Sequence, residues 1–468
     1  MDQTPKPLRA IAAEFLTALT ADRTDDARLL LDVHPELARH DINTVAAVGD
    51  VDAARALLRA DPARATQITP PSDIPPIVWA VQSDLKHMLG VSDSAHVETV
   101  RAFLDAGADP NTKVPLPDVS DGIPILFFPC ASNAVDVARL LLERGANPDD
   151  GESVYHAAQH DNRACLEVLL AHGANLNGGT TFVDGNTPLH FLAAHRESNE
   201  ITPSVTRGME WLLDHGADPN APSYISASGA ALPGGAELPL HRAALAGRGE
   251  VVMRMLVEHG TEVDAPRGDG KTAYALAVRA GNTSAAEYLA SVGAFTMGLE
   301  SIDRLLGACN TGDLTAAMSI VTAEPDIIAG TTPEDRDALG LAVVENREDA
   351  VRALLDVGFP MNAEGEWGGT PLHWAAWNAR VDMVKLLLAR GASVNVRDSR
   401  YGSSPIAWCA HGSRYSGHGT DAEYVNIATM LLDAGATRAE AYNNWNEAPE
   451  SFARPAVLRV LQDRGFAT

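Results

Sequence analysis

Three histidines and one glutamate stand at the same point of a recurring pattern in this sequence, directly after a short apolar segment that ends in small residues. They are His160, His195, Glu345 and His411. Imidazole changes its charge near neutral pH and can act as an acid or a base, and a carboxylate can complement it. In one shared pocket, these groups could catalyse dehydration, cyclisation or isomerisation of a small organic substrate without a cofactor.

Other side chains at or near this point are suited to hold a ligand rather than to transform it. The candidate binding residues are Gln82, Gln159, Arg279, Trp377, Asn378, Arg414 and Tyr415. A tryptophan outside the core commonly anchors a partner, and Arg279 with Glu345 would give charged specificity. Arg414 and Tyr415 belong to a segment, residues 403–424, that could fold over the site as a lid.

The helices that must position these residues end in a recurring Gly-Ala or similar turn. The marker glycines of these turns are Gly107, Gly145, Gly173, Gly216, Gly260, Gly293, Gly358, Gly391 and Gly435. Their separations are 38, 28, 43, 44, 33, 65, 33 and 44 residues, which scatter about a 33-residue unit, the 65 spanning two units. A fixed period of this length indicates an array of stacked repeats.

A second motif recurs one helix upstream of the markers. It reads TPLHFLAA at 187–194, LPLHRAA at 238–244 and TPLHWAA at 370–376. With these two motifs the chain resembles the ankyrin-repeat family over most of its length. The resemblance implies an all-α solenoid of about twelve helical hairpins, with short finger loops between repeats and several long insertions.

The residues of the motif are suited to the parts that the resemblance implies for them. Thr370 can cap a helix, Pro371 can occupy its first turn, and Gly391 can end the following helix in a left-handed conformation. The motif histidines of the family bridge backbone groups of adjacent repeats, and we expect this structural role here. The motif histidines in this chain are His190, His241 and His373.

The departures from the repeat suggest how the chain is divided. We expect an N-terminal ankyrin block at 1–298, with capping hairpins, and a C-terminal block at 299–468, which ends in a polar cap. Insertions rich in Gly, Ser and Pro fall at 178–186, 195–208, 221–237 and 399–424, and a long loop spans 112–124. Insertions at equivalent points of a repeat array emerge on one face, often the binding face.

Two functions remain open from the sequence. The family resemblance implies a noncatalytic protein that grips a partner protein in its concave groove, and the candidate residues would face that groove. The alternative is the cofactor-independent enzyme outlined above, with a small organic substrate enclosed by the inserted loops. Only five lysines against many arginines favour a GC-rich bacterial genome, where such an enzyme would suit secondary metabolism.

Composition limits the partners. A net charge of −26 disfavours nonspecific binding to nucleic acid or to anionic membranes, since both attract basic surfaces. The four cysteines are far apart, without a CxxC pair, so we expect neither a disulfide framework nor a metal site. The N-terminus lacks the apolar run of a signal peptide, and we expect a cytoplasmic monomer that needs no cofactor.

Overall fold

Antiparallel helical hairpins account for nearly all of the regular structure, as the repeat pattern predicts. The computed structural model of the protein describes residues 6–20, 23–70, 72, 74–82, 84–116, 119–179, 186–194, 203–224, 236–365 and 368–466. These residues form two compact units. The first comprises the described residues up to Tyr224, with Ala236–Pro239 and Glu258–Thr261, and the second comprises Leu240–Val257 and the described residues from Glu262 onward.

The first unit contains six hairpins among its described residues. Their helix pairs are α1 Leu8–Thr20 and α2 Thr24–Val33, α3 Ile42–Val48 and α4 Val51–Ala60, α5 Pro76–Val81 and α7 Asp93–Asp105, α8 Phe127–Ala131 and α9 Val135–Glu143, α10 Ser153–Gln159 and α11 Arg163–Ala171, and α12 Pro188–Ala194 and α13 Pro203–Asp214. The short helix α6 Asp84–Met88 lies between α5 and α7. Short 3-10 helices at Pro35–Arg39 and Pro62–Ala65 replace the Gly-Ala turn in the first two hairpins.

The described residues of the second unit form six more hairpins and a C-terminal cap. The pairs are α14 Pro239–Leu245 and α15 Glu250–Glu258, α16 Ala273–Arg279 and α17 Thr283–Ser291, α18 Ser301–Asn310 and α19 Leu314–Ala323, α20 Pro333–Val344 and α21 Glu348–Asp356, α22 Pro371–Trp377 and α23 Val381–Ala389, and α24 Pro405–Tyr415 and α25 Asp421–Asp433. The cap consists of α26 Arg438–Ala441, a 3-10 helix at Pro449–Ser451, α27 Pro455–Leu461 and a final turn at Gln462–Phe466. The predicted all-α solenoid of about twelve hairpins is thus confirmed.

The marker glycines end the second helix of each hairpin for the expected reason. All nine have positive φ, between 89° and 98°, a conformation that glycine adopts without strain. Asparagines in the loops that follow these turns form hydrogen bonds to the corresponding turn of the next repeat. Asn395 Nδ2 donates to Gly435 O at 2.9 Å and its Oδ1 accepts from Thr437 N, while Asn111 makes the equivalent bonds to Gly145 and Asn147. The regular Gly-Ala spacing therefore reflects a ladder of hydrogen bonds between successive repeats.

The motif histidines bridge adjacent repeats, as predicted. Thr370 N donates to His373 Nδ1 at 3.0 Å, so His373 Nε2 carries the proton and donates to Ser403 O at 3.0 Å. His190 Nε2 bonds Glu237 O and His241 Nε2 bonds Ala265 O in the same way. Each ring is a buried link between one repeat and the next.

Two segments that the sequence assigned to loops have regular structure. Residues 112–124 contain an antiparallel β-hairpin, β1 Lys113–Leu116 and β2 Val119–Pro124, in which Val114 pairs with Ile123. The lid expected at 403–424 is wrong for its first half, because Pro405–Tyr415 forms the long first helix α24 of an ordinary hairpin. The next helix, α25, starts at a capping box made by Thr420 and Glu423. The other three insertions lie largely outside the described residues.

Repeats on both sides of residue 298 stack directly on each other within the second unit. Asn310 Nδ2 donates to Arg279 O at 2.9 Å, and Gly307 lets α18 approach the carbonyl of Val278. The subdivision at 298 stays a prediction from the sequence. In the described parts of the chain, no helix is long and apolar enough to cross a membrane.

Candidate functional site

Four aromatic side chains gather at the C-terminal ends of two neighbouring helices of the second unit. Trp377 ends α22, His411 and Tyr415 lie one turn apart on α24, and Phe452 follows the 3-10 helix of the cap. The His411 ring lies 5.2 Å from Trp377, 4.6 Å from Tyr415 and 5.1 Å from Phe452, between centroids. We call these four residues the aromatic surface.

Two further tryptophans form the base of the aromatic surface. Trp408 packs edge-on against Trp374 at 5.1 Å and against Trp377 at 6.1 Å. Both base residues satisfy their indole N–H groups, Trp408 with Asp398 Oδ2 at 3.0 Å and Trp374 with Gly368 O at 2.9 Å. Trp408 is buried, and Trp374 is partly buried against the repeat core.

Polar groups lie at the outer side chains of the aromatic surface, at Trp377 and beside Tyr415. Trp377 is half-buried, and its indole N–H has no acceptor among the described residues. Tyr415 is 54% exposed, and the Arg414 guanidinium lies 5.3 Å from the centroid of its ring. A cation over an aromatic face is attracted to the ring electrons. The surface therefore offers aromatic faces, an indole donor and a charged group at one place.

The end of α22 is held rigidly beneath the aromatic surface. Tyr424, which is fully buried, donates its hydroxyl proton to Trp377 O at 2.7 Å. Gly412 lets α24 approach the same carbonyl, because a Cβ atom at this position would lie 2.6 Å from Trp377 O. The Trp377 backbone is thus fixed by two different helices of the next hairpin.

This close approach predicts that Gly412→Ala destabilises the second unit by about 1 to 3 kcal/mol, because backbone must move to admit the methyl group. Gly340→Ala in α20 is a matched control. Its Cβ would meet only the Trp374 side chain at 3.5 Å, so the substitution should be neutral or stabilise the helix by about 0.5 to 1 kcal/mol. Urea unfolding measures both variants, and equal stability of the two would contradict the described packing.

Arg279, a predicted binding residue, is only 4% exposed. Its guanidinium pairs with Asp303 at 3.3 Å and with Asp335. Burial raises the pKa of Asp303 despite the nearby Lys271 and Arg279, whereas at Asp335 the effect of burial is outweighed by Arg279 and Thr332, which lower its pKa. Arg279 therefore links three consecutive repeats, and its burial disfavours the predicted contact with a partner.

Three other predicted binding residues also have local structural contacts. Asn378 is buried and donates to Trp374 O at 3.0 Å, while the buried Gln159 accepts from His156 Nδ1 at 3.0 Å. Gln82 is partly exposed, and its backbone oxygen accepts from Lys86 Nζ at 2.6 Å. Burial lowers the pKa of Lys86 to about 7. The burial of Gln159 and Asn378 argues against the groove-facing position predicted for them.

The candidate catalytic residues do not occupy equivalent surroundings. His160 is exposed at the end of α10 in the first unit, whereas Glu345 and His411 belong to the second unit. Glu345 accepts a hydrogen bond from Arg347 Nε at 2.7 Å. His195 lies outside the described residues. Among the described members of this set, His411 packs against predicted binding residues, namely Trp377 and Tyr415.

Comparison with protein families finds repeats along much of the chain. Residues 88–180 and 305–398 match the family model described as ankyrin repeats (3 copies), and residues 184–224 match the model described as ankyrin repeat. The range 305–398 includes α22, which carries Trp377 of the aromatic surface.

Known proteins show the same similarity. Rabankyrin-5 of Homo sapiens is 26% identical over 273 residues, which cover 56% of this chain and 21% of that protein. Protein PhlB of Serratia liquefaciens is 42% identical over 66 residues, covering 14% and 29%. Palmitoyltransferase AKR1 of Kluyveromyces lactis is 34% identical over 102 residues, covering 21% and 14%. The chain thus spans less than a third of each relative.

A solved structure is similar as well. The crystal structure of the human ASB11 ankyrin repeat domain has a TM-score of 0.28 and 21% sequence identity, over 60% of this chain and 100% of that chain.

Proposed function

Because this chain belongs to the ankyrin-repeat family, we propose that it binds a partner protein, with the aromatic surface of the second unit as the central contact. Ankyrin repeats are protein-interaction modules, and stacked repeats present extended binding faces. The ends of the first helices, where Trp377 and His411 stand, are the part of the repeat that would face the concave groove. The observation that carries the proposal is the gathering of Trp377, His411, Tyr415 and Phe452 at this point.

The chemistry of the surface suits a protein partner with apolar and basic side chains. Tryptophan, tyrosine and arginine are the residue types most enriched in the centres of protein interfaces. Here Trp377 has a backbone held by two helices, a half-buried ring and an indole donor that has no acceptor among the described residues, as an anchor requires. The net charge of −26 would draw a basic partner towards the chain and raise the rate of encounter.

Catalysis is not part of the proposal. The four candidate catalytic residues are divided between the two units or lie outside the described residues. His411, the one member within the aromatic surface, is surrounded there by aromatic rings. Its role in the proposal is to fill the space between Trp377, Tyr415 and Phe452.

We expect Trp377→Ala to weaken partner binding by about 2 kcal/mol or more, which is roughly 30-fold in Kd, because the anchor loses its aromatic contact area. Phe295→Ala is the matched control, since Phe295 is 61% exposed in the same unit but lies outside the aromatic surface. Wild type and both variants serve as full-length baits in extracts of the source organism. A protein retained by wild type and by Phe295→Ala is purified, and its Kd for all three is measured by calorimetry.

The comparison also needs a variant whose folding is not in question. Tyr415→Ala removes a side chain that is 54% exposed, so the fold should tolerate it, and we expect Kd to rise several-fold. Unfolding curves recorded beside the titrations separate lost binding from lost structure. If Trp377→Ala and Tyr415→Ala both bind the purified partner as tightly as Phe295→Ala does, the proposed function of the aromatic surface is wrong.

A further inference from the structure

The first unit contains a cavity of about 110 Å³ beside the start of α10. Its lining includes Glu152, Tyr155, Val154 and Pro188. Glu152 precedes α10, and Pro188 begins α12 in the next hairpin. The cavity therefore lies between consecutive repeats, at the level where other repeats make their histidine bridge.

The cavity coincides with a change in the repeat motif. The segment ESVYHAA at 152–158 aligns with TPLHWAA at 370–376, so Glu152 replaces the motif threonine and Tyr155 replaces the motif histidine. In the repeat of His373, the imidazole reaches the carbonyl of Ser403 in the next repeat at 3.0 Å. Tyr155 instead donates its hydroxyl proton back to Glu152. This repeat thus uses the motif positions for a local pair and leaves space beside it.

Among the described residues, one of the two Glu152 carboxylate oxygens has a hydrogen-bond partner and the other has none. The residue is 1% exposed, and its Oε2 accepts from Tyr155 and lies 3.4 Å from His156 Nε2. Within the part of the chain that the structure describes, the buried Oε1 atom has no hydrogen-bond partner. An unsatisfied buried carboxylate oxygen is costly, and a charged donor would relieve that cost.

The surroundings favour a positively charged donor. Asp149 also lines the cavity, and the neighbouring Asp150 accepts bonds from Glu152 N and Ser153 N at 2.9 and 2.8 Å. Burial raises the pKa of Asp150 to about 6, and the nearby Glu152 charge acts in the same direction. Val154 and Pro188 supply apolar contacts for an alkyl chain.

We propose that this cavity binds a primary ammonium group on a short alkyl chain, with Glu152 Oε1 as its acceptor. The small volume suits a compact ammonium group, and the apolar lining suits the methylene groups that precede it. A lysine side chain of a protein and a free alkylamine share this chemistry. The inference does not rest on the proposed function, because the cavity and the aromatic surface belong to different units and are tested by different variants.

The test is ligand-observed NMR titration of the full-length protein with three probes. The probes are Nα-acetyl-lysine N-methylamide, butylammonium chloride and Nα-acetyl-norleucine N-methylamide, which keeps the alkyl chain and lacks the charge. We expect saturable binding of the lysine probe and at least tenfold weaker binding of the norleucine probe. If butylammonium binds as tightly as the lysine probe, a free alkylamine is enough to occupy the cavity. If it binds much more weakly, the ligand is a lysine side chain of a protein.

Glu152→Gln should weaken the lysine probe at least tenfold, since it removes the charge and keeps the shape. The exposed Glu167→Gln in α11 is the matched control and should bind like wild type. Tyr155→Phe keeps the carboxylate and releases its Oε2 atom, so it should retain binding, and it serves if Glu152→Gln fails to fold. The proposal is overturned if no probe binds saturably, if the norleucine probe binds equally, or if folded Glu152→Gln binds like wild type.

Discussion

Arg279→Leu should lower the free energy of unfolding of the second unit by about 3 to 5 kcal/mol. The guanidinium lies between two buried carboxylates, Asp303 from the next repeat and Asp335 from the one after it. Leucine would leave both carboxylates with less compensating charge in a medium where charges are poorly solvated. Lys271, at 3.4 Å from Asp303, can compensate only one of them.

The measurement is urea unfolding followed by tryptophan fluorescence, because Trp374, Trp377, Trp408 and Trp445 all report on the C-terminal repeats. Arg352→Leu is the control. Arg352 pairs with Glu348 one turn away, and both side chains are about half exposed, so about 0.5 kcal/mol or less is expected. Adding Asp303→Asn and Asp335→Asn to Arg279→Leu should recover part of the loss. A loss in Arg279→Leu no larger than in Arg352→Leu would refute the structural role of this ion network.

Acid should destabilise the protein through its motif histidines. Burial lowers the pKa of both His241 and His373 to about 4, while an unfolded histidine titrates near about 6.5. Between these values the unfolded chain binds protons that the folded chain excludes. Each of these histidines therefore contributes about 3 kcal/mol to the free energy of unfolding. This contribution is complete above about pH 6.5 and is lost as the pH falls towards 4. The cause is structural, since His373 Nδ1 must stay unprotonated to accept from Thr370 N.

The test is the loss in free energy of unfolding between pH 7 and pH 4.5, measured by urea unfolding and compared between wild type and variants. The effect of carboxylates that all of them share cancels in this comparison. His373→Asn should be less stable than wild type at pH 7, and its further loss on acidification should be smaller by about 2 to 3 kcal/mol. His418→Asn, at an exposed position in the same unit, should keep the wild-type pH dependence. An unchanged acid loss in His373→Asn would show that this imidazole does not titrate as its burial requires.

The repeat architecture could be predicted because its signals are local. A helix start such as Thr370-Pro371, a left-handed glycine such as Gly391 and the spacing between them are decided within one hairpin. The hairpin at 112–124 was missed because prolines and glycines in KVPLP and SDGIP indicate a loop, while strand pairing between Val114 and Ile123 depends on contacts across the turn. The long helix α24 was missed for the same kind of reason, since Gly412 and Ser413 favour a loop locally, whereas Gly412 packs closely against Trp377 of α22.

Side-chain exposure at the candidate site was harder to predict than its position in the repeat. The phase of the repeat places Trp377, Asn378 and Arg279 at equivalent helix ends, but it does not reveal what the following repeats bring to them. Arg279 meets two aspartates and is buried, whereas Trp377 meets His411 and stays half open. Phe452 was missed because the cap carries no repeat signal that would place it beside α24.

The Glu152 cavity could have been found from the sequence by one further comparison. Aligning ESVYHAA with TPLHWAA shows that both polar members of the motif are replaced together in one repeat. A paired replacement of threonine by glutamate and histidine by tyrosine indicates that the bridge to the next repeat is absent there.

The most direct test of partner binding at the aromatic surface is hydrogen–deuterium exchange of the full-length protein with and without its purified partner. Peptides covering α22, α24 and residues 449–452 should exchange more slowly in the complex, and this protection should vanish in Trp377→Ala at the same partner concentration. Protection confined to other repeats, with these three segments unchanged at saturating partner, would contradict the proposed function.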